Sequence, residues 1–158
     1  MSETIEDKLV LLDETISSYL KSLNLTIKGN PQFEEILNFD LEAIRRLTAE
    51  ECSEYSCLAS LFSLYIQTEC NRHSAKKTWA AFNNNIILGK YSRNYGDKFT
   101  KFEERSLMCM AENEYSIKLN EVIKQATIRL ETLNFLSRKI ECIYQSLTDL
   151  SRSKRKYQ

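Results

Sequence analysis

Residues 119–150 read LNEVIKQATIRLETLNFLSRKIECIYQSLTDL, and the spacing of their apolar residues decides the fold. Leu119, Ile123, Ala126, Leu130 and Leu133 follow one another at alternating four- and three-residue steps, and Leu136, Ile140, Ile143, Leu147 and Leu150 repeat the pattern. Such steps hold one apolar stripe on one side of an α-helix, the heptad seam of a coiled coil. The single three-residue step from Leu133 to Leu136 is the signature of a stammer. No glycine or proline interrupts the chain from Thr100 to Arg152.

Working upstream, Thr48-Ala-Glu-Glu51 is a capping box, with threonine at the cap and glutamate three residues on. It opens a second run without Gly or Pro that reaches Gly89. Cys52, Tyr55, Leu58, Ala59, Phe62, Tyr65 and Ile66 line one face of its first half; Trp79, Ala80, Phe82, Asn83, Ile86 and Ile87 mark its second. Gly89 is the predicted stop. A loop is predicted over 89–99, and Thr100-Lys-Phe-Glu103 repeats the capping-box pattern with Phe99 as a staple. Asn113 favours a break in the following helix near Ala111–Asn113. Ahead of both runs, Ile5, Leu9, Leu12, Ile16, Leu20 and Leu23 predict a first helix over 4–24. Pro31 ends it, and Asp40 caps one of the short helical pieces expected between 32 and 47.

These elements predict an all-α protein: a long antiparallel helical hairpin or coiled coil with an N-terminal helix, forming an oligomeric helical assembly. Its parts are an acidic N-terminal helix and connecting segment (1–47), the hairpin (48–152) and a basic C-terminal tail (153–158). Two helices cannot cover both the aromatic and the aliphatic stripes. Other copies of the chain are the predicted cover, with Leu133, Leu136, Ile140, Ile143, Leu147 and Leu150 as the oligomer interface.

The composition agrees. Among 158 residues there are three glycines and one proline, too few to punctuate an α/β or all-β fold. No glycine-rich loop is present to cradle a phosphate, which argues against P-loop or Rossmann chemistry. One histidine, His73, excludes most triads and most histidine-based metal sites. Cys70-x-x-His73 is the only metal-like spacing and lacks a second pair, so no metal and no cofactor are expected. Glu50-Glu51, Glu103-Glu104 and Glu112-Asn-Glu114 fall at helix starts or in polar segments, so an enzyme is not expected. Five cysteines scattered through helical sequence suit reduced thiols in a cytoplasm. The segment Met1–Asp7 has no basic or apolar signal-peptide region, and no apolar run approaches the length of a membrane span.

Net charge is zero but unevenly placed. Residues 1–51 hold eleven acids and five bases, whereas residues 72–101 hold seven bases and one acid, Asp97. The bases are Arg72, Lys76, Lys77, Lys90, Arg93, Lys98 and Lys101, interleaved with Trp79, Phe82, Tyr91, Tyr95 and Phe99. Cations for phosphates beside flat rings for unstacked bases are the chemistry of single-stranded nucleic-acid binding. Trp79, Phe82 and Phe99 equally suit a core, whereas Tyr91, Arg93 and Tyr95 sit in polar loop sequence. Lys154, Arg155 and Lys156 extend the candidate DNA-binding set at the C-terminus. The acidic third suits a docking surface for a basic partner, a mimic of DNA charge, a cover over the basic region of its own or a neighbouring chain, or a plain solvated helix.

Several stretches carry a resemblance. They are Leu47-Thr-Ala-Glu-Glu51, Asn71-Arg-His-Ser-Ala-Lys-Lys-Thr-Trp79 with the basic loop, Phe102-Glu-Glu-Arg105, Ala126–Ile140 and Leu147-Thr-Asp-Leu-Ser-Arg-Ser-Lys154. Over about residues 47–156 the chain resembles small all-helical proteins of tailed bacteriophages, of the UvsY-type recombination mediator family. The resemblance implies a helical homo-oligomer in the bacterial host cytoplasm that binds single-stranded DNA. It also implies contacts with a recombinase and a single-strand-binding protein, so that the first is loaded as the second is displaced. Lys76, Lys77, Lys90, Tyr91 and Arg93 would carry the DNA contact, and the C-terminal helix the oligomer seam. The acidic N-terminal extension departs from the family's pattern. The alternative reading is a coiled-coil protein–protein adaptor or a phage inhibitor of a host factor.

Overall fold

The computed structural model describes residues 4–22 and 28–156. Among them are six α-helices, α1 (Ile5–Ser22), α2 (Gln32–Leu37), α3 (Leu41–Arg46), α4 (Ala49–Tyr91), α5 (Phe102–Glu112) and α6 (Glu114–Lys156), with a 3-10 turn at Ser92–Asn94 and no strand. The all-α expectation is met. Two positions of the first-helix stripe, the Leu20 side chain and Leu23, lie outside what is described.

Capping side chains set most helix starts. Thr4 Oγ1 accepts the Asp7 N–H at 3.2 Å while the Thr4 N–H donates to Asp7 Oδ2 at 3.0 Å. Thr48 and Glu51 make the same reciprocal pair at 3.2 and 2.7 Å. Asp40 Oδ1 accepts the Ala43 N–H at 2.7 Å and starts α3. Asn113 is extended (φ −80°, ψ 117°) and its Oδ1 accepts the Ser116 N–H at 3.1 Å. Its amide competes with the helix, separating α5 from α6 as the sequence suggests.

Two boundaries differ from expectation. Gly89 does not end α4, which continues to Tyr91. A glycine inside a helix costs only about 1 kcal/mol relative to alanine, and half-buried Ile87, packed on the core just before it, holds this turn. The chain reverses instead at Gly96, whose φ of +73° is left-handed; a Cβ there would meet Thr100 at 2.7 Å. Thr100 likewise does not cap α5. The helix starts after Lys101 without a side-chain cap, because the Thr100 hydroxyl is spent on Asp97.

By its contacts the chain divides into two units. The first comprises Met1–Asn24 and Asn71–Leu130. Its core is Ile5, Ala80 and Leu119, with Leu9, Trp79, Ile87, Val122 and Ile123 packed around it. Trp79 is therefore core material. A buried polar set lies beside it: Ser116 Oγ donates to Asn84 Oδ1 at 2.6 Å, and Asn84 Nδ2 donates to Asn120 Oδ1 at 3.1 Å.

The second unit comprises Leu25–Cys70 and Glu131–Gln158. The Phe33 ring of α2 stacks on Phe62 of α4 at 4.3 Å, and Phe39 meets Tyr55 edge-on at 4.8 Å. The Tyr55 hydroxyl donates to Glu35 at 2.7 Å. Ile36, Cys52, Ala59, Ile66, Ile140 and Leu147 are buried here. Ser53 and Ser151 pair at 2.9 Å, Ser56 and Thr148 at 2.8 Å, and the Cys70 thiol meets Asn134 at 4.0 Å. Lys139 donates to the Leu37 carbonyl at 3.1 Å, and Lys154 to those of Arg45 (2.9 Å) and Leu47. Two lysines of α6 thus satisfy carbonyls at the C-terminal ends of α2 and α3, where cations are favoured.

Ile140 and Leu147 have no exposed surface in the single chain. The seam is therefore consumed, at these two positions, by the chain's own packing. Ile140→Asp places a carboxylate in a closed apolar site, at a cost of several kcal/mol. The expected outcome is a lowered Tm and lost helicity in circular dichroism, rather than a folded protein of smaller mass.

The capping pairs also set a pH dependence. Asp7 is held below its ordinary value of 3.8 chiefly by the Thr4 N–H, and Glu51 below 4.5 chiefly by the Thr48 N–H. The Phe99 N–H does the same for Asp97. Each folded value lies below the unfolded one, so the unfolded chain binds more protons in acid. Their contribution is complete above the ordinary values and disappears as pH falls through the lower folded ones. Melting curves from pH 7 down to pH 3 should show Tm dropping on the acid side. Glu51→Gln should flatten that drop, whereas Thr48→Ala, which keeps the backbone N–H, should lower Tm at neutral pH and leave most of the drop in place.

Candidate functional site

Exposed aromatic and basic side chains of the first unit lie on the second half of α4, on the segment that follows it and at the start of α5. Phe82 is 64% exposed on α4, Phe99 is 90% exposed in the connecting segment and Phe102 is 63% exposed at the start of α5. Lys90, Arg93, Lys98 and Lys101 are exposed among them. Tyr91 is exposed, whereas Tyr95 is half-buried. Phe82 and Phe99 serve no core in this chain, which sets them apart from Trp79.

The segment carrying Phe99 is held in shape by its own hydrogen bonds. Asp97 Oδ1 accepts the Phe99 N–H and the Thr100 hydroxyl, both at 2.9 Å, and the Asp97 N–H donates to Thr100 Oγ1 at 2.9 Å. Arg105 Nη2 donates to the Asp97 carbonyl at 2.6 Å, anchoring the turn to α5. Left-handed Gly96 completes the reversal. The result is a turn that presents Phe99 outward between Lys98 and Lys101. Asp97 stood out in the sequence as the lone acid of the basic stretch, yet it builds the turn. The Asx-turn habit of aspartate two residues before an N–H was the signal for this role.

The other basic candidates are placed differently. Arg72 and Lys77 are half-buried on α4. Lys76 is half-buried and pairs with Asp13 of α1 at 2.5 Å, and Lys118 of α6 pairs with Glu6 at 3.4 Å. Two acids of α1 thus pair with lysines of the same unit, one of them in the basic stretch. Glu6 is held below the ordinary carboxylate range, first by its own N–H and then by Lys118.

In the second unit, Lys154 is engaged with the end of α3, so it carries a structural contact. Arg155 and Lys156 are exposed in the last turn of α6. Arg155 Nη2 donates to Ser53 Oγ at 2.9 Å. A cleft of about 220 Å³ there, lined by Ser53, Ser56, Tyr144, Thr148, Ser151, Arg152 and Arg155, has the look of an anion pocket. Its serine and threonine hydroxyl protons are already committed. Thr148 donates to the Tyr144 carbonyl and Ser151 to that of Ala49, so Ser56 donates to Thr148, while Ser53 donates to Ser151 or to the Ala49 carbonyl. These four hydroxyls thus close the helix contact and leave no serine or threonine O–H for an anion.

Ile86, Ile87, Lys90 and Tyr91 of α4 line a cleft of about 450 Å³ with Asn113 and Tyr115. Tyr115 was not singled out in the sequence, although the break expected near Ala111–Asn113 sets it at a helix start. The break at Asn113 is the local signal that an aromatic just beyond it stands at a helix end.

Among the described residues no three His, Cys, Asp or Glu side chains converge on a point that would hold a metal ion, and no helix is long and apolar enough to cross a membrane. Compared with protein-family models, with curated proteins and with solved structures, the chain matches none.

Cys52, Cys70 and Cys109 are buried, and burial pushes each thiol above its ordinary value; Cys57 and Cys142 are exposed. Since the thiolate is the reactive form, a thiol reagent added to native protein should label two cysteines quickly. The remaining three should react only after denaturation. Peptide mapping of the fast fraction should return Cys57 and Cys142.

Proposed function

We propose that this chain is a non-enzymatic phage recombination mediator. It binds single-stranded DNA in the bacterial host cytoplasm and helps load a recombinase in place of a single-strand-binding protein. The observation that carries the reading is the joint exposure of Phe82, Tyr91, Phe99 and Phe102 beside Lys90, Arg93, Lys98 and Lys101 in the first unit. Exposed rings in the same stretch as phosphate-neutralising cations are what an unpaired strand requires. The resemblance described above supplies the partners.

In this reading α4 and α6 run antiparallel. The pairs Ser53–Ser151, Ser56–Thr148 and Cys70–Asn134 support that course in the second unit, and Asn84–Asn120 supports it in the first. The active form is a homo-oligomer, in which several weak strand sites act together. With Ile140 and Leu147 already buried, association uses apolar residues left in water in the second unit: Leu61, Leu64 and Phe135. A second reading, a protein–protein adaptor or inhibitor of a host factor, is favoured by one observation. Val10, Leu11 and Tyr19 stand exposed on acidic α1, a surface suited to a protein with apolar and basic contacts.

A salt titration of binding to labelled single-stranded DNA separates the two. Lys90→Ala with Arg93→Ala should weaken binding to all sequences alike and reduce the log–log salt slope by about 0.7 per lost contact. Phe99→Ala should lower affinity with the slope unchanged, because stacking releases no counterions. Binding of the double charge variant at wild-type strength would favour the adaptor reading.

A further inference from the structure

The cleft between Tyr91 and Tyr115 has a composition that neither a solvated face nor a packing defect explains. Its aliphatic members are Ile86 and Ile87. Its two aromatic members come from different elements, Tyr91 from the last turn of α4 and Tyr115 from the first turn of α6. Both rings are about half exposed, at 45% and 52%. One cation, Lys90, and one side-chain amide, Asn113, complete the lining. The Asn113 Oδ1 is held by the Ser116 N–H, which fixes the amide plane and leaves its NH₂ group as the donor end.

We propose that this cleft takes one unstacked nucleobase of a bound single strand, which lies against Tyr91 and Tyr115 while Lys90 meets the adjoining phosphate. The inference rests on the single-stranded DNA reading and adds a defined base site to it, separate from the Phe99 turn. The chemistry matches part by part. A base is a flat ring that gains from aromatic faces regardless of its identity. Its edge carries acceptors for an amide donor, and its phosphate needs a cation. Ile86 and Ile87 offer no hydrogen bonds, so they tolerate a ring and disfavour a sugar or a solvated peptide. The break at Asn113 makes the site possible, because an unbroken helix through 113 would not set Tyr115 at a helix start.

The test uses the full chain and two fluorescent oligonucleotides of equal length, one of deoxythymidine and one of abasic residues with the same backbone, at one salt concentration. Wild type is expected to bind the base-bearing strand about tenfold or more tightly than the abasic one, the scale of a lost stacking contact. Tyr115→Ala is expected to reduce that preference severalfold without changing the salt slope, the remainder being carried by the Phe99 turn, and Tyr115→Phe to retain it in full. Tyr115→Leu fills the same space without an aromatic face and gives the same readout if the alanine variant loses helicity. If Tyr115→Ala keeps the wild-type preference, bases stack elsewhere and the cleft assignment is overturned while DNA binding stands. Equal, salt-sensitive binding of wild type to both strands would overturn base stacking at this cleft and at the Phe99 turn alike, leaving a strand held by charge. Failure of wild type to bind either strand would overturn the DNA reading, and the base site with it.

Discussion

The fold depends on small side chains where α4 and α6 approach each other. In the first unit Ala80 and Ser116 are buried without exposed surface; in the second, Cys52 and Ala59 are, with Ser56 and Ser151 nearly so. Small residues let backbones come close, and close backbones leave no room for water to solvate the hydroxyls. A hydroxyl buried between these two helices must then find a protein partner, since an unsatisfied one costs about 1–3 kcal/mol. The pairs Ser53–Ser151, Ser56–Thr148 and Ser116–Asn84 meet that demand. They also fix register, because sliding one helix by a residue would strand each hydroxyl against an alkyl group.

Much follows from this register. Holding α4 and α6 by narrow polar and small contacts leaves their other faces to recruit the remaining helices. The rings of Phe62 and Tyr65 receive Phe33 of α2, and Ala80 with Leu119 receives Ile5 of α1. Helix α4 is therefore apolar on more than one side along its length.

That divided use explains what could be read from the sequence. The heptad spacing of α6 was legible, and Leu119, Ala126, Ile140 and Leu147 fall on its buried side. Helix starts were legible where a side chain closes a local ring, as at Thr48 and Asp40. The end of α4 was not, since a glycine marks a stop only where the backbone turns left-handed, and that happens at Gly96 rather than Gly89. For the candidate site, the basic stretch and its aromatics were visible as composition. Which rings are core and which are exposed was not, because Trp79 and Phe82 are three positions apart on one helix and differ only in what lies opposite. Lys154 illustrates the same limit: a basic tail in the sequence, it spends its ammonium on the carbonyls of Arg45 and Leu47.

The ion pair between Lys76 and Asp13 changes how charge would be counted in any polyanion complex. A phosphate that meets a lysine gives up its condensed cation, and salt opposes that exchange by mass action. Lys76 already carries a counterion that belongs to the same chain. When a phosphate displaces Asp13 its cation is released, but the freed carboxylate draws a cation back, so the exchange adds little to the salt dependence while still adding a contact. The number of ions released would then understate the number of cations engaged. The shortfall would measure how much of α1's negative charge acts as a built-in salt.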